Sequence, residues 1–421
     1  MHNTGYRILA EGKQISNDTW ITGLNNNDCI IGPSGAGKTR SYVLPNILQC
    51  NGSMVITDTK GALREQVGAI LQRNGYKVME LNLTNCRVST IGYNPLRFIR
   101  YDQEREYYNE QDILRVSACL VPIEILKDPF WDRAARMLLE TLVGYLLECQ
   151  QPEEHTLDNV TLLLSELGGK AGALLDEYAM ISPESFAAVR WKLFKNMTAA
   201  DRTTACVQGI LAEKLSVMMF DGLSGLFNRP DQIDFATIGR ERSALFLNIS
   251  DTDRSLDPLA ALFYAQALQE LCREADRTPD HRLNTPVHFY LDDFAANAVI
   301  PDFDKVVSTI RSREISVSII LQSISQLESL YTHAQAMTVL NNCDHMLYLG
   351  GQDVETARYI SAKANKPASA ILNMPLDSVW LFTRGHEPQQ VHKYNLTGHP
   401  RYFQPSEQPF YSRDYYEDEP F

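Results

Sequence analysis

Short apolar runs recur along this chain, with longer stretches of helical period between them. Cys29-Ile30-Ile31, Met54-Val55-Ile56-Thr57-Asp58 and Lys77-Val78-Met79-Glu80-Leu81 come early. Ala244-Leu245-Phe246-Leu247-Asn248-Ile249 and the runs at 287–291, 317–321 and 346–349 come late, with a last strand candidate at 379–382. Residues 63–74 read as a helix. Runs of this kind alternating with helices predict a parallel sheet covered by helices, an α/β fold. The middle of the chain differs. From about 107 to 227 the helical period dominates and strand signal is scarce. Asp128-Pro129 is suited to cap and open a helix with Pro at its first position. Trp131, Ala134, Ala135, Leu138, Leu142, Tyr145 and Leu146 then line one face. Further helices are predicted at 157–167, 171–180, 183–197 and 203–219, punctuated by Gly168-Gly169 and Ser182-Pro183.

Composition narrows the class. With 421 residues the chain has room for two or three domains. Its 44% hydrophobic and 22% charged content is that of a globular protein with a real core. No apolar run approaches the roughly 18 residues of a membrane-spanning helix, and Met1-His2-Asn3-Thr4-Gly5 is not the start of a signal peptide. The eight cysteines are scattered, with no CxxC and no His at zinc spacing, and read as reduced thiols of a cytosolic protein. A net charge of −13 argues against a broadly basic surface but leaves room for a local basic channel. The acidic, aromatic tail at 411–421 reads as a solvated terminus.

The chemistry begins at Gly32-Pro33-Ser34-Gly35-Ala36-Gly37-Lys38-Thr39, a full G-x-x-x-x-G-K-[ST] phosphate loop between a strand and a helix. Its glycines let backbone N–H groups curl around phosphates, and the following helix aims its positive end at the same charge. Lys38 is placed to reach the β- and γ-phosphates, and the Thr39 hydroxyl to hold Mg²⁺. Gly32, Ser34, Gly35, Ala36, Gly37, Lys38, Thr39 and Arg40 are the predicted nucleotide-binding residues, with ATP and Mg²⁺ as the cofactors.

Such a loop needs a carboxylate on the metal side at the end of an apolar strand. Val287-His288-Phe289-Tyr290-Leu291-Asp292-Asp293 supplies it. Asp292 is the predicted metal-side carboxylate, and Asp293 the group that orients or deprotonates the attacking water. The distance along the chain from Lys38 to Asp292 exceeds what a minimal core needs, so a domain is inserted. The predicted division is a discontinuous nucleotide-binding domain at 1–154 and 231–400, an inserted all-α domain at 155–230, and a tail at 401–421. Downstream, Gln322 ends the strand 317–321, where the ligands of parallel sheets sit. A neutral amide there can sense a γ-phosphate. Arg311 and Arg313 fall near the end of a helix, and one of them is a candidate arginine finger for a neighbouring subunit.

These strings together resemble the type IV secretion coupling proteins, the conjugative DNA-transfer ATPases. The first set is the phosphate loop, Thr57-Asp58-Thr59-Lys60-Gly61 and Tyr93-Asn94-Pro95-Leu96. The second is Leu291-Asp292-Asp293-Phe294-Ala295, Ser308-Thr309-Ile310-Arg311-Ser312-Arg313, Ile320-Leu321-Gln322-Ser323-Ile324-Ser325-Gln326-Leu327, Asn342-Cys343-Asp344 and Asp353-Val354-Glu355-Thr356-Ala357. Pro129-Phe130-Trp131 also matches. The resemblance covers about 28–385. It implies a RecA-like P-loop nucleotide-binding domain with an inserted all-α domain, assembled as a homo-hexameric ring with nucleotide between subunits, and monomeric when free. It also implies an ATPase that recruits a relaxase–DNA or effector cargo to a type IV secretion channel and drives or licenses transfer of single-stranded DNA. Carried over, Asp293, Gln322 and one of Arg311 and Arg313 serve hydrolysis, Thr39 and Asp292 hold the metal, and the all-α domain reads the cargo.

Two departures stand out. Most members have Glu after the metal-side Asp, and this chain has Asp293, whose carboxylate is withdrawn by roughly 1.5 Å. Many members also begin with membrane-spanning helices, and this chain begins almost at the phosphate loop. That implies a separate membrane-protein partner or a soluble form, cytoplasmic and recruited to the cytoplasmic face of the membrane. The alternatives are an ATP-switched receptor with little turnover and a double-stranded DNA translocase of the FtsK or HerA type.

Overall fold

The apolar runs pair edge to edge in one large sheet. The computed structural model describes residues 5–124, 127–294 and 299–402. Within these, the strands in chain order are β1 (Tyr6–Ala10), β2 (Lys13–Ser16), β3 (Asp28–Ile31), β4 (Ser53–Asp58), β5 (Lys77–Asn82), β6 (Tyr101–Asp102), β7 (Tyr107–Tyr108), β8 (Ser243–Asn248), β9 (Val287–Leu291), β10 (Ile315–Leu321), β11 (His345–Tyr348), β12 (Ser378–Thr383) and β13 (Gln389–His392). The central sheet runs β13-β12-β11-β3-β10-β9-β4-β8-β5. From β11 to β5 every neighbouring pair is parallel. The tail expected at 401–421 lies outside the described residues from 403 onward, as does Ala295.

Alternation along each strand builds a core on both faces. Cys29, Ile31 and Val55 point into one apolar cluster, and Ile30, Met54 and Ile56 into the other. The second cluster takes in the helices Leu44–Gln49 and Ala62–Arg73 and the hairpin β1–β2.

The sheet departs from the all-parallel expectation at one edge. β12 is antiparallel to β11, and β13 to β12. A single crossover helix would deliver the next strand parallel. Here the helix Val354–Ala364 carries the chain away, and the segment through the helix Ala368–Leu372 brings it back to the end it left. Gly385, at φ 81°, then turns β12 into β13 as a hairpin.

The helix after the phosphate loop also differs from a regular α-helix. Residues Thr39–Val43 form a wide π turn, in which the Leu44 N–H donates to the Thr39 carbonyl, before Leu44–Gln49 continues as α. Pro45 has no N–H to give Ser41, which removes one α-type bond and accommodates the wider turn.

The helical middle follows the periodicity closely. Phe130–Cys149 buries Ala134, Ala135, Leu138, Leu142 and Leu146, and packs on Phe186–Met197, Asp201–Ser216 and Glu110–Leu120. Pro129 occupies the capping position instead of the first turn. The core of this bundle runs without a break into one face of the sheet. Among the described residues no helix is long and apolar enough to cross a membrane.

Candidate nucleotide site

Strand β3 delivers the phosphate loop at its C-terminal end, between β10 and β11. The Gly32 N–H donates to the Leu321 carbonyl at 3.1 Å, and the Leu349 N–H to the Ile31 carbonyl at 2.8 Å. Both neighbours thus pin the start of the loop. Gly35 and Gly37 take φ of 77° and 84°, values that L side chains rarely adopt. Ser34 and Gly35 are exposed at the crest, Ala36 is half-buried, and Arg40 is exposed on the first turn of the helix. Lys38 is buried, and its Nζ donates to the carbonyls of Gly32 (2.6 Å) and Pro33 (3.1 Å). Burial lowers its pKa, opposed by the carboxylates of Asp293 and Asp292.

The strand end of β9 meets this loop directly. Thr39 Oγ1 donates to Asp292 Oδ2 at 3.1 Å. Asp292 is buried, and burial together with the charge of Asp293 raises its pKa, against the Thr39 hydrogen bond and the Lys38 charge. The Asp293 N–H donates to Asp292 Oδ1 at 3.0 Å. Asp293 itself sits at φ 48°, a conformation in which Asp is favoured over longer side chains. From β10, Gln322 Nε2 donates to Asp293 Oδ1 at 3.5 Å. Lys38, Thr39, Asp292, Asp293 and Gln322 therefore converge on one side of the loop.

The two arginines lie elsewhere. They fall in a short 3₁₀ helix, Ile310–Arg313, that follows the α-helix Phe303–Val307 and precedes β10. Exposed Arg311 lines a cavity with Arg7, Asn17, Asn46, His288 and Ser316, at the N-terminal ends of β9 and β10. The length of β10 separates it from Gln322, on the order of 20 Å. Arg313 is held by Asp276, with Nε 2.9 Å from Oδ1 and Nη2 3.1 Å from Oδ2. Neither reaches the phosphate loop of its own chain.

Several of the remaining strings make structural contacts. The Asp58 carboxylate accepts from the N–H groups of Leu63 (2.8 Å) and Arg64 (3.3 Å), opening the helix Ala62–Arg73. Gly61 before it has φ 69°, and a Cβ there would lie 2.8 Å from the Asn248 side chain. Asn94 accepts from the Leu96 N–H at 3.1 Å and donates to the His155 carbonyl at 2.7 Å, joining the sheet side to the helical region. Two strings distant in sequence also meet. Ser325 Oγ donates to Asp353, and the Ile324 N–H donates to Thr356 Oγ1 at 2.9 Å, so the loop that carries Gln322 is fastened to the helix Val354–Ala364.

Sequence reasoning missed two groups of residues around the loop. One is a buried polar network under the start of β3. Arg7 from β1 reaches Asp28, and the Tyr42 hydroxyl from the π turn donates to the same carboxylate. A polar residue opening a strand that is otherwise apolar was the available signal at Asp28. The other is Lys393, just after β13, whose Nζ donates to the Ala36 carbonyl at 2.9 Å. Nothing in the local sequence marks it.

Comparison with known proteins places this geometry in a family. A family model described as "Type IV secretory system Conjugative DNA transfer" matches residues 7–366. Protein VirD4 of Rhizobium radiobacter is 26% identical over 342 residues, covering 79% of this chain and 47% of VirD4. The chain thus spans about half the length of the curated relatives it matches. Among solved structures, the unbound monoclinic form of the bacterial conjugative coupling protein TrwBdeltaN70 superposes with a TM-score of 0.69 at 16% identity, over 93% of this chain and 89% of that one. The plasmid coupling protein TrwB in complex with ADP and Mg²⁺ superposes with a TM-score of 0.66 at 16% identity, over 92% of this chain and 89% of that one. By its match over most of its length, with the phosphate loop and both signature strings inside it, the chain belongs to the type IV secretory system conjugative DNA transfer family.

Proposed function

We propose that this chain is the nucleotide-driven part of a coupling ATPase that brings a relaxase–DNA or effector cargo to a type IV secretion channel and uses ATP to drive or license conjugative transfer. The contact of Thr39 with Asp292 at 3.1 Å, beside Lys38, carries the reading. The complex of TrwB with ADP and Mg²⁺ supports the same class of ligand.

The residues fit Mg²⁺-nucleotide. A Cβ built at Gly35 or Gly37 meets nothing within 4 Å, so the loop crest borders open space. A hydroxyl and a carboxylate at hydrogen-bond distance are the hard oxygen donors Mg²⁺ takes. Thr39 and Asp292 would hold the metal, which when bound supplies charge neutralisation at the β- and γ-phosphates. Ser34, Gly35, Gly37 and Lys38 bind the phosphates through backbone N–H groups, joined by the Lys38 ammonium, which is released from the carbonyls of Gly32 and Pro33. Asp293 accepts from the attacking water, and Gln322 orients it or senses the γ-phosphate.

Arg311, at the far end of the sheet, is the finger offered to a neighbour's nucleotide in a homo-hexameric ring. Arg313 holds the turn through Asp276. Residues 155–230 form an inserted all-α domain that reads the cargo, and 1–154 with 231–400 form the RecA-like domain. The partners are the relaxase and single-stranded DNA, the secretion channel, and a membrane protein that recruits the chain to the cytoplasmic face of the membrane. A second reading, an ATP-switched receptor with little turnover, is favoured by the short Asp293 side chain and its 3.5 Å separation from Gln322.

The test is steady-state ATP hydrolysis by the full chain with and without single-stranded DNA, beside Lys38→Ala. DNA-stimulated turnover that disappears in Lys38→Ala is expected. ATP binding without turnover, whatever DNA or partner is added, overturns the enzymatic reading.

A further inference from the structure

Lys393 lies beyond residue 366, where the family match ends. Its Nζ donates to the Ala36 carbonyl at 2.9 Å and to the Leu376 carbonyl at 2.5 Å. Ala36 belongs to the phosphate loop, and Leu376 precedes β12. One ammonium therefore ties the loop to the edge hairpin β12–β13, which approaches from the side of β11. Asp292 and Gln322 follow β9 and β10 on the other side of β3.

The chemistry of that contact is directional. A trans peptide unit is planar, and its C=O and N–H point to opposite sides. The Ala36 carbonyl and the Gly37 N–H belong to one such unit. Holding the carbonyl outward, toward the hairpin, turns the Gly37 N–H away from the hairpin and into the loop. Gly37 needs this help, because glycine at φ 84° has no Cβ to limit its conformations. Burial weakens the charge on Lys393, and the nearby Asp377 carboxylate sustains it.

We propose that Lys393 is a positioning residue for nucleotide binding: it fixes the Ala36–Gly37 peptide so that the Gly37 N–H is presented to phosphate. This rests on the nucleotide reading above. It makes the antiparallel edge hairpin part of the nucleotide site and links hairpin and loop through one side chain.

The experiment titrates mant-ATP with Mg²⁺ into the full chain, Lys393→Met, Lys393→Arg and Lys38→Ala, with hydrogen exchange of the backbone at 32–39 measured without nucleotide. Lys393→Met is expected to weaken mant-ATP about tenfold, to leave kcat at saturation within about twofold, and to speed exchange in the loop. Lys393→Arg, which keeps charge and donors, is expected to recover most of the affinity. A purely structural role would lower the melting temperature without changing affinity or loop exchange. Unchanged affinity and exchange in Lys393→Met overturn the proposal while Lys38→Ala still loses binding. Absence of mant-ATP binding in the unmutated chain overturns the nucleotide reading and this proposal with it. Should Lys393→Met fail to fold, Lys393→Gln is measured in the same way, and loop exchange equal to that of the unmutated chain overturns the proposal.

Discussion

Arg7 Nε donates to Asp28 Oδ2 across 2.8 Å, both side chains fully enclosed, and so fastens the N-terminal hairpin to the first residue of the strand that carries the phosphate loop. The Tyr42 hydroxyl, one turn beyond that loop, donates to the same carboxylate, and His345 from β11 faces it at 3.2 Å. Burial pushes the Asp28 carboxyl up, and the Arg7 guanidinium with His345 overcomes this, holding it well below the usual carboxylate range. Both ends of the loop segment thus hang from one buried charge.

Breaking that pair is costly because it strands the other charge. Arg7→Met or Asp28→Leu alone is expected to destabilise the chain by about 3–5 kcal/mol. The double variant Arg7→Met/Asp28→Leu is expected to lose less than the sum of its parts, since neither charge is then left alone. Urea unfolding of the single and double variants measures the coupling. Additive losses would mean that the pair is not coupled.

Asp293→Glu separates the motor from the switch. The added methylene advances the carboxylate by roughly 1.5 Å, toward where the proposed attacking water would sit. Turnover at saturating ATP is expected to rise on the order of tenfold, with mant-ATP affinity unchanged. Stability is expected to fall by about 1 kcal/mol, because Glu is less at ease than Asp at positive φ. Unchanged turnover removes the main motive for the receptor reading.

Arg311 and Arg313 are expected to respond differently. Arg311→Ala should leave mant-ATP affinity intact and lower turnover of the assembled protein by roughly a thousandfold, the effect of losing a finger supplied from a neighbour. Arg313→Ala removes a half-exposed pair with Asp276, and should cost stability up to about 1 kcal/mol. Turnover measured against protein concentration distinguishes them. Equal loss of turnover in both variants would count against Arg311 as the finger.

His288 sets an acid limit. Its ring nitrogens face Ser316 Oγ at 2.7 Å and Ser318 Oγ at 2.6 Å. Burial lowers its pKa to about 3, against an ordinary 6.5. Below pH 6.5 the unfolded chain takes up a proton that the folded chain refuses, so stability is full above 6.5 and falls as pH drops toward 3. Between pH 6.5 and 5 the loss is about 2 kcal/mol at most, since each pH unit between the two pKa values is worth about 1.4 kcal/mol, and the cavity the ring borders lets solvent reduce it further. Urea unfolding at pH 7.5, 6 and 5 measures the slope, and His288→Gln should remove most of it. A slope of the same size in His288→Gln assigns it to other groups.

Much of this was legible in the amino-acid order because it is local. A phosphate loop is eight consecutive residues whose backbone forms the site. A strand or helix is announced by the spacing of its own apolar positions, as at Cys29-Ile30-Ile31 and along Phe130–Cys149. Asp292 could be found because an apolar strand that ends in Asp is itself a local pattern, and a phosphate loop calls for one. The tertiary structure decided what depends on where separate segments arrive. Arg311 and Gln322 are close in sequence, yet β10 carries them to opposite ends of the sheet. Ser325 meets Asp353, Arg7 meets Asp28, and Lys393 meets the phosphate loop across most of the chain. The turning back of β12 was equally hidden, because a strand's own pattern of side chains is the same whichever way it runs. Periodicity and motif fix which groups each segment offers, and only burial of the shared core determines which offered groups come within hydrogen-bond reach.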